Sequence, residues 1–138
     1  MAKVSIGNSV NSVTVEYAAG ADNQVEPSLL SLLKAVIKSD IAAGQTLTSI
    51  YVSATTNGTH ESPRHASGQA IDISRINGLH MSTHYSSDSV VKAIVNALQT
   101  QADAQSGIRE NFGPHFKHKH AAAWSVAGHA DHIHWSVD

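Results

Sequence analysis

Apolar residues recur at helical spacing in two parts of the chain. The first stripe of leucine, valine and isoleucine follows Pro27 and stops before Gly44, which predicts a helix over 27–43. The second stripe predicts a helix over about 88–103, with Asp88 among its candidate N-caps. Each stripe needs an apolar partner surface, so both helices are expected to pack against a sheet.

Alternating and β-branched segments predict the strands of that sheet. They lie at 4–6, 13–17, 46–55, 70–73, 108–112 and 132–137. In the segment 70–73, Asp72 faces the opposite side from Ile71 and Ile73, so it can face a site while they face the core. Residues 121–124 predict a helical turn. The sum predicts an α+β fold over 1–138, a single domain with two main helices on a small, mostly antiparallel sheet.

Composition limits the chemistry available to the chain. Cysteine is absent, so disulfides and thiolates are excluded and any metal site must use nitrogen and oxygen ligands. The 10 histidines outnumber the 9 lysines and arginines, which favours metal or proton chemistry. The net charge of −2 gives no basic field for nucleic acid. The sequence has no apolar run long enough for a membrane span and no apolar N-terminal segment typical of a signal peptide.

Two polar clusters carry the candidate chemistry. The first, S-P-R-H-A-S-G-Q-A-I-D-I-S, places His65 seven positions before Asp72; the second is the ending H-A-D-H-I-H-W-S-V-D. A catalytic zinc ion is typically bound by three imidazole or carboxylate side chains, and water occupies its fourth coordination position. We therefore expect one zinc ion, held in a cleft on the sheet by His65, Asp72 and His134. Asp131 is the expected base, with Glu61 as the alternative.

Other polar and aromatic residues have weaker assignments. His129 is the first candidate for an oxyanion donor and Arg64 the second. His132 is expected either to contact substrate or to support a ligand. The candidates for walling the cleft are Trp124, Trp135 and Tyr85, with a position in the core as the alternative for the two tryptophans. The segment 115–120, H-F-K-H-K-H, is expected to be a solvated loop. The alternatives are that it binds an anionic wall polymer or a second metal ion.

The two motifs together resemble a known family. S-x-x-H-A-S-G-Q-A-I-D-I followed by D-H-I-H-W is similar to the zinc peptidases of the D-alanyl-D-alanine carboxypeptidase family. That family includes carboxypeptidases, dipeptidases and phage endolysins that cut the L-alanyl-D-glutamate bond of peptidoglycan. The resemblance implies zinc at His65, Asp72 and His134, and a base at Asp131. Many members carry an arginine before the first histidine, where this chain has Thr56.

The resemblance implies a peptidoglycan hydrolase that cuts a stem-peptide bond with zinc-activated water. The short chain without an evident wall-binding module is most similar to the phage endolysins. We expect a monomer, made in the cytoplasm without a signal peptide and acting on the cell wall after release, with no nucleic-acid partner. The alternatives are a D-Ala-D-Ala carboxypeptidase or dipeptidase, and a zinc-containing wall-binding module without turnover, which the absence of the arginine favours.

Overall fold

The fold, given by a computed structural model, is described for residues 2–56 and 64–138. The strands are β1 Val4–Ser5, β2 Ser9–Val10, β3 Val13–Tyr17, β4 Gln24–Val25, β5 Ser49–Ala54, β6 Ala70–Ile76, β7 Leu79–His80, β8 Ile108–Phe112, β9 Lys117–Lys119, β10 Ala122–Ala123 and β11 Ile133–Val137. The helices are α1 Pro27–Val36, α2 Met81–His84 and α3 Ser89–Asp103. Residues 57–63, which include Glu61, the alternative base, lie outside the described residues.

A single large sheet organises the described residues. Its strand order is β10-β9-β8-β11-β6-β5-β3-β2, with β7 paired to β6. Every pair in it is antiparallel except β3 with β5. The predicted α+β class with a mostly antiparallel sheet is therefore confirmed. The strand that comes last in sequence, β11, lies between β8 and β6 in the middle of the sheet.

Helices α1 and α3 contact each other and the sheet, and their apolar stripes are buried. The prediction for α3 is confirmed, since the Asp88 side chain accepts hydrogen bonds from the backbone N–H groups of Val90 and Val91. Across 2–56 and 64–138, no helix has the length and apolarity that crossing a membrane requires.

The predicted end of α1 at residue 43 is wrong, because the helix stops at Val36. The Asn11 amide donates hydrogen bonds to the carbonyl oxygens of Lys34 and Ile37, at 2.8 and 3.0 Å. These bonds satisfy acceptors that a longer helix would have used, and Ile37 is already extended. The apolar stripe continues to contribute to the core beyond the helix through Ile37, Ile41 and Ala42.

Two further local predictions are corrected by strand pairing. Residues 122–123 form β10, not a helical turn, because they pair with β9. The segment 115–120 contains β9, which pairs with β8, so it is not simply a solvated loop. Tertiary pairing has overridden weak local preferences in both cases.

A buried amide network joins α3 to the sheet. Gln99 is fully buried; its amide nitrogen donates to Phe116 O at 3.0 Å, and its side-chain oxygen accepts from His115 N at 3.0 Å. Asn111 donates to Gln99 O at 2.7 Å and accepts from the Trp135 indole N–H at 2.8 Å. The network fixes α3 against β8 and β11, the strands that carry much of the candidate site.

Gln99→Leu is expected to lower the free energy of unfolding by about 2–4 kcal/mol, because it leaves buried donors and acceptors without partners. Urea denaturation measures the change. Gln101→Leu, an exposed glutamine on the same helix, is the matched control. Equal loss in both variants would show that the network contributes nothing particular to stability.

Candidate metal centre

Strand pairing places Asp72 beside His134. The two residues are direct cross-strand partners on β6 and β11, so their side chains lie on the same face of the sheet. The His134 ring nitrogen Nδ1 lies 2.8 Å from Asp72 Oδ1, and both side chains are buried. The apolar neighbours Ile71 and Ile73 face the core, as the alternation predicted.

His65 reaches the same place from the turn that enters β6. Gly68 has a φ of +80°, and a Cβ there would lie 3.1 Å from the Glu26 backbone nitrogen, so the close turn favours glycine. His65 is fully buried, and its Nδ1 lies 2.8 Å from Thr55 O. Because a carbonyl can only accept, Nδ1 donates to it. In the neutral ring this leaves the lone pair on Nε2, which lies 3.4 Å from Asp72 Oδ1.

The three residues form the one group of this kind in the described chain that could hold a metal ion. Their ligand atoms all lie within 4.8 Å of one another. Tetrahedral zinc with bonds of about 2.0–2.1 Å separates its ligand atoms by about 3.3–3.4 Å. The His65–Asp72 distance of 3.4 Å matches this spacing. The 2.8 Å from His134 to Asp72 is a hydrogen-bond distance and would need to open slightly. The donor set therefore fits a small divalent cation.

Glu110 supports His134 from the other side, a role that the sequence did not indicate. Its Oε1 lies 3.1 Å from His134 Nε2 and accepts a hydrogen bond from Ser136 Oγ at 2.7 Å. Metal-binding histidines usually donate their second ring N–H to such a partner, which fixes the ring orientation. The backbone carbonyl of Thr55 does the same for His65. Each imidazole is thus oriented with one nitrogen toward Asp72.

Charges in the group are set by these hydrogen bonds. Burial alone would raise the pKa of Asp72, but the hydrogen bond from His134 and the proximity of His65 hold it well below its usual range. Burial also opposes a charged His134, yet the bonds to Asp72 and Glu110 raise its pKa to about 9. The bond from His134 lowers the pKa of Glu110 to about 2. Without metal, His134 is an imidazolium between two carboxylates.

Glu110→Gln is expected to weaken zinc binding by about 10–100-fold, because loss of an outer hydrogen-bond partner leaves the ligand ring less basic and less well oriented. Competition with a chromophoric chelator measures the affinity. Glu16→Gln, an exposed glutamate on β3, is the matched control. Unchanged affinity in Glu110→Gln would contradict the supporting role.

Asp131 and His132 form a pair at the edge of this group. Asp131 Oδ1 lies 2.7 Å from His132 Nδ1, and this hydrogen bond lowers the pKa of Asp131. The other His132 nitrogen, Nε2, lies 3.9 Å from Asp72 Oδ1. The Asp131 side chain is 66% exposed and that of His132 only 17%. His132 therefore lies between Asp131 and the carboxylate of the candidate metal group.

His129 lies next to the group in a strained conformation. Its φ of +69° is in the left-handed region, which non-glycine residues adopt at a cost and often at functional sites. Its ring lies 5.0 Å from that of His132 and 5.7 Å from that of His134. Burial and the two neighbouring histidines lower its pKa to about 4. Its Nδ1 donates to Ala127 O at 3.0 Å, so a neutral ring carries a lone pair on Nε2. Donation to an oxyanion would need a second proton or the other tautomer.

The aromatic residues expected to wall the cleft lie in different places. Trp135 is fully buried and donates to Asn111, on the face of the sheet opposite His134, so its expected contact with substrate is corrected to a core position. Tyr85 packs on the core and donates to Asn96. Trp124 is 50% exposed. The ring that does pack on the site is Phe112, stacked on His134 at 5.7 Å.

The remaining candidates contact other parts of the fold. Arg64 Nε donates to Val137 O at 3.3 Å. Thr56 donates to the Asp22 carboxylate at 2.7 Å, which fixes Thr56 just after β5. His118 pairs with Asp103 beneath the sheet, and His120 lies 3.2 Å from Asp138. Within 2–56 and 64–138, the histidines of the segment 115–120 form no second group of three metal-ligand residues.

Comparison of the chain with protein-family models, curated proteins and solved structures gives no match.

Proposed function

We propose that the protein is a zinc-dependent peptidase that hydrolyses a stem-peptide bond of peptidoglycan. The observation that carries the proposal is the buried group of His65, Asp72 and His134. Each of its imidazoles is oriented by a second hydrogen bond, one to a backbone carbonyl and one to Glu110. Outer acceptors that orient the ring of a histidine are typical of metal-binding imidazoles.

His65 Nε2, Asp72 Oδ1 and His134 Nδ1 would hold the zinc ion. Bound zinc supplies a water of lowered pKa and polarises the carbonyl oxygen of the substrate. Asp72 stays ionised next to the two imidazoles, so it brings negative charge to the cation. Phe112 covers the ring of His134 on one side and helps to exclude solvent from that ligand.

Asp131 and His132 act together in proton transfer. Peptide hydrolysis needs a group that takes a proton from water and returns it to the leaving amine. Asp131 is exposed and ionised, which suits this role, and His132 connects it to the metal group through two contacts of 2.7 and 3.9 Å. His129 and Arg64 remain the candidates for stabilising the oxyanion, and His129 would do so in the form that carries a proton on Nε2.

The substrate class comes from the motif resemblance. The spacing of His65, Asp72 and His134 with Asp131 is similar to that of wall peptidases that include endolysins. An L-Ala-D-Glu endopeptidase that acts after release from the cell is the leading candidate. A D-Ala-D-Ala carboxypeptidase or dipeptidase would use the same site. Mass spectrometry of digested muropeptides distinguishes them, because loss of terminal D-alanine differs from an internal cut.

Chelation tests the function directly. Exhaustive removal of metal is expected to abolish lysis of cell-wall preparations, and one equivalent of zinc is expected to restore it. Full lysis after chelation would overturn the proposal. Wall binding with stoichiometric zinc and no new amine ends would instead establish a binding module that holds the metal without turnover.

A further inference from the structure

A basic and aromatic groove lies on the outer strands of the sheet. An open cavity of about 520 Å³ is lined by Lys117, Ala123, Trp124, Ser125 and Val126, and we call it the outer groove. Trp124 is the one large apolar side chain that is half exposed in the described chain. Tryptophan is enriched among the residues that dominate binding interfaces.

Strand register places this groove in line with the candidate metal centre. Asp72 pairs with His134, His134 with Phe112, and Phe112 with Lys117. The backbone N–H of Trp124 donates to Lys117 O at 3.0 Å, which continues the row. Direct cross-strand partners share a face, so all five side chains project from one side of the sheet.

Lys119 lies on the same face, because it pairs with Glu110 two residues along from the Lys117–Phe112 pair. The intervening His118 faces the other way and pairs with Asp103 on α3. The two lysines of β9 therefore belong to the metal side of the sheet, and the histidine belongs to the helix side. Lys117 lines the outer groove and Lys119 lies beside it over the Trp124 ring, so the surface there is basic although the chain as a whole is not.

Within the described residues, the ammonium groups of Lys117 and Lys119 are not paired with carboxylates. Lys117 Nζ donates to Val126 O at 2.6 Å, and Lys119 Nζ lies 4.3 Å from the centre of the Trp124 ring. Neither lysine makes an ion pair within 2–56 and 64–138. Glu110, the cross-strand partner of Lys119, directs Oε1 to His134 and Ser136 instead. An anionic ligand would supply the missing charge.

We propose that the outer groove binds a carboxylate of the stem peptide about three residues from the bond that is cut. This inference rests on the proposed function. Lys117 lies two strand spacings from His134, or about 9–10 Å. An extended peptide covers that span in about three residues. Lys119 and Lys117 meet the carboxylate, and the Trp124 ring packs against the adjoining peptide. The contact sets substrate preference for acidic stems.

Tryptophan fluorescence provides a readout independent of turnover. The chain has 2 tryptophans, and Trp135 is fully buried, so quenching by a peptide reports mainly on Trp124. The probe is the soluble peptide L-Ala-γ-D-Glu-L-Lys-D-Ala, with its carboxylates free or amidated, titrated into zinc-loaded Asp131→Asn protein. The free acid is expected to quench, and amidation is expected to raise Kd by roughly tenfold. Equal binding of the two peptides would overturn the inference.

Variants locate the contact. Lys119→Gln is expected to raise Kd for the free acid by about fivefold, the effect of one exposed charge pair, with zinc content unchanged. Lys92→Gln is the matched control, because Lys92 also lies over an aromatic ring, that of Tyr85, on α3. In the active protein, Trp124→Ala is expected to raise KM with little change in kcat.

The outcomes separate the two proposals. A chain that binds the acidic peptide through Lys119 but never cuts it would refute the peptidase function and leave the groove assignment in place. A chain that cuts wall peptides while Lys119→Gln and Trp124→Ala leave Kd and KM unchanged would keep the peptidase function and refute the groove.

Discussion

Asp72→Asn is expected to lower zinc affinity by more than about 100-fold and to abolish wall lysis. Loss of an outer hydrogen-bond partner alone costs about 10–100-fold in affinity, and Asp72 is the proposed ligand on which both imidazoles converge. Asparagine keeps the size of the side chain but removes the negative charge. Metal content after dialysis, measured by elemental analysis, and release of soluble muropeptides test the two effects.

Asp40→Asn is the matched control for this substitution, because Asp40 is exposed and far from β6 in sequence. The Asp72 variant leaves a charged His134 without one of its two partners, so its fold is checked by thermal denaturation. If it fails to fold, His65→Gln replaces it, since that change removes a ligand without removing the countercharge of His134. Stoichiometric zinc retained by whichever of these variants folds would contradict the proposed ligand set.

Asp131→Asn is expected to lower kcat by about 10²–10⁴-fold while zinc remains bound, because general-base catalysis contributes about that factor. Asparagine preserves a hydrogen bond to His132 but cannot take a proton. Asp138→Asn is a close control, since Asp138 is also exposed and also contacts a histidine, His120, at 3.2 Å. Steady-state hydrolysis of a stem peptide, with zinc content measured in parallel, gives the result.

His132→Gln separates the two members of the pair. If Asp131 takes the proton and His132 only orients it, this variant loses less turnover than Asp131→Asn. Equal losses, with no further loss in the double variant, would show that the pair acts as one unit. Unchanged turnover in Asp131→Asn would transfer the base role to His132 or Glu61.

The candidate ligands could be predicted from sequence because local pattern determines which way each side chain points. Side chains alternate between the two faces of a strand, which predicted that Asp72 faces away from Ile71 and Ile73. The same alternation predicted that His132 and His134 share a face. The glycine at position 68 indicated a close turn, and its φ of +80° agrees. These features depend on neighbours in the chain, so they need no knowledge of strand order.

The residues that the sequence missed depend on strand order. Glu110 supports His134 only because β11 lies next to β8, and Phe112 covers the same ring for that reason. No local signal in I-R-E-N-F indicates which strand will be its neighbour. Trp135 was assigned to the cleft because a large aromatic side chain suits the wall of a binding site. Only the pairing of Trp135 with Ile71 shows that it faces the core.

The place of β11 in the sheet has a consequence for how the protein is made. Strands β10, β9 and β8 lie on one side of it and β6, β5, β3 and β2 on the other, yet it is synthesised after all of them. On the ribosome, the two halves lack their shared neighbour until residues 133–137 emerge. The nascent polypeptide therefore cannot hold His65, Asp72 and His134 in their final arrangement before residues 133–137 have been made.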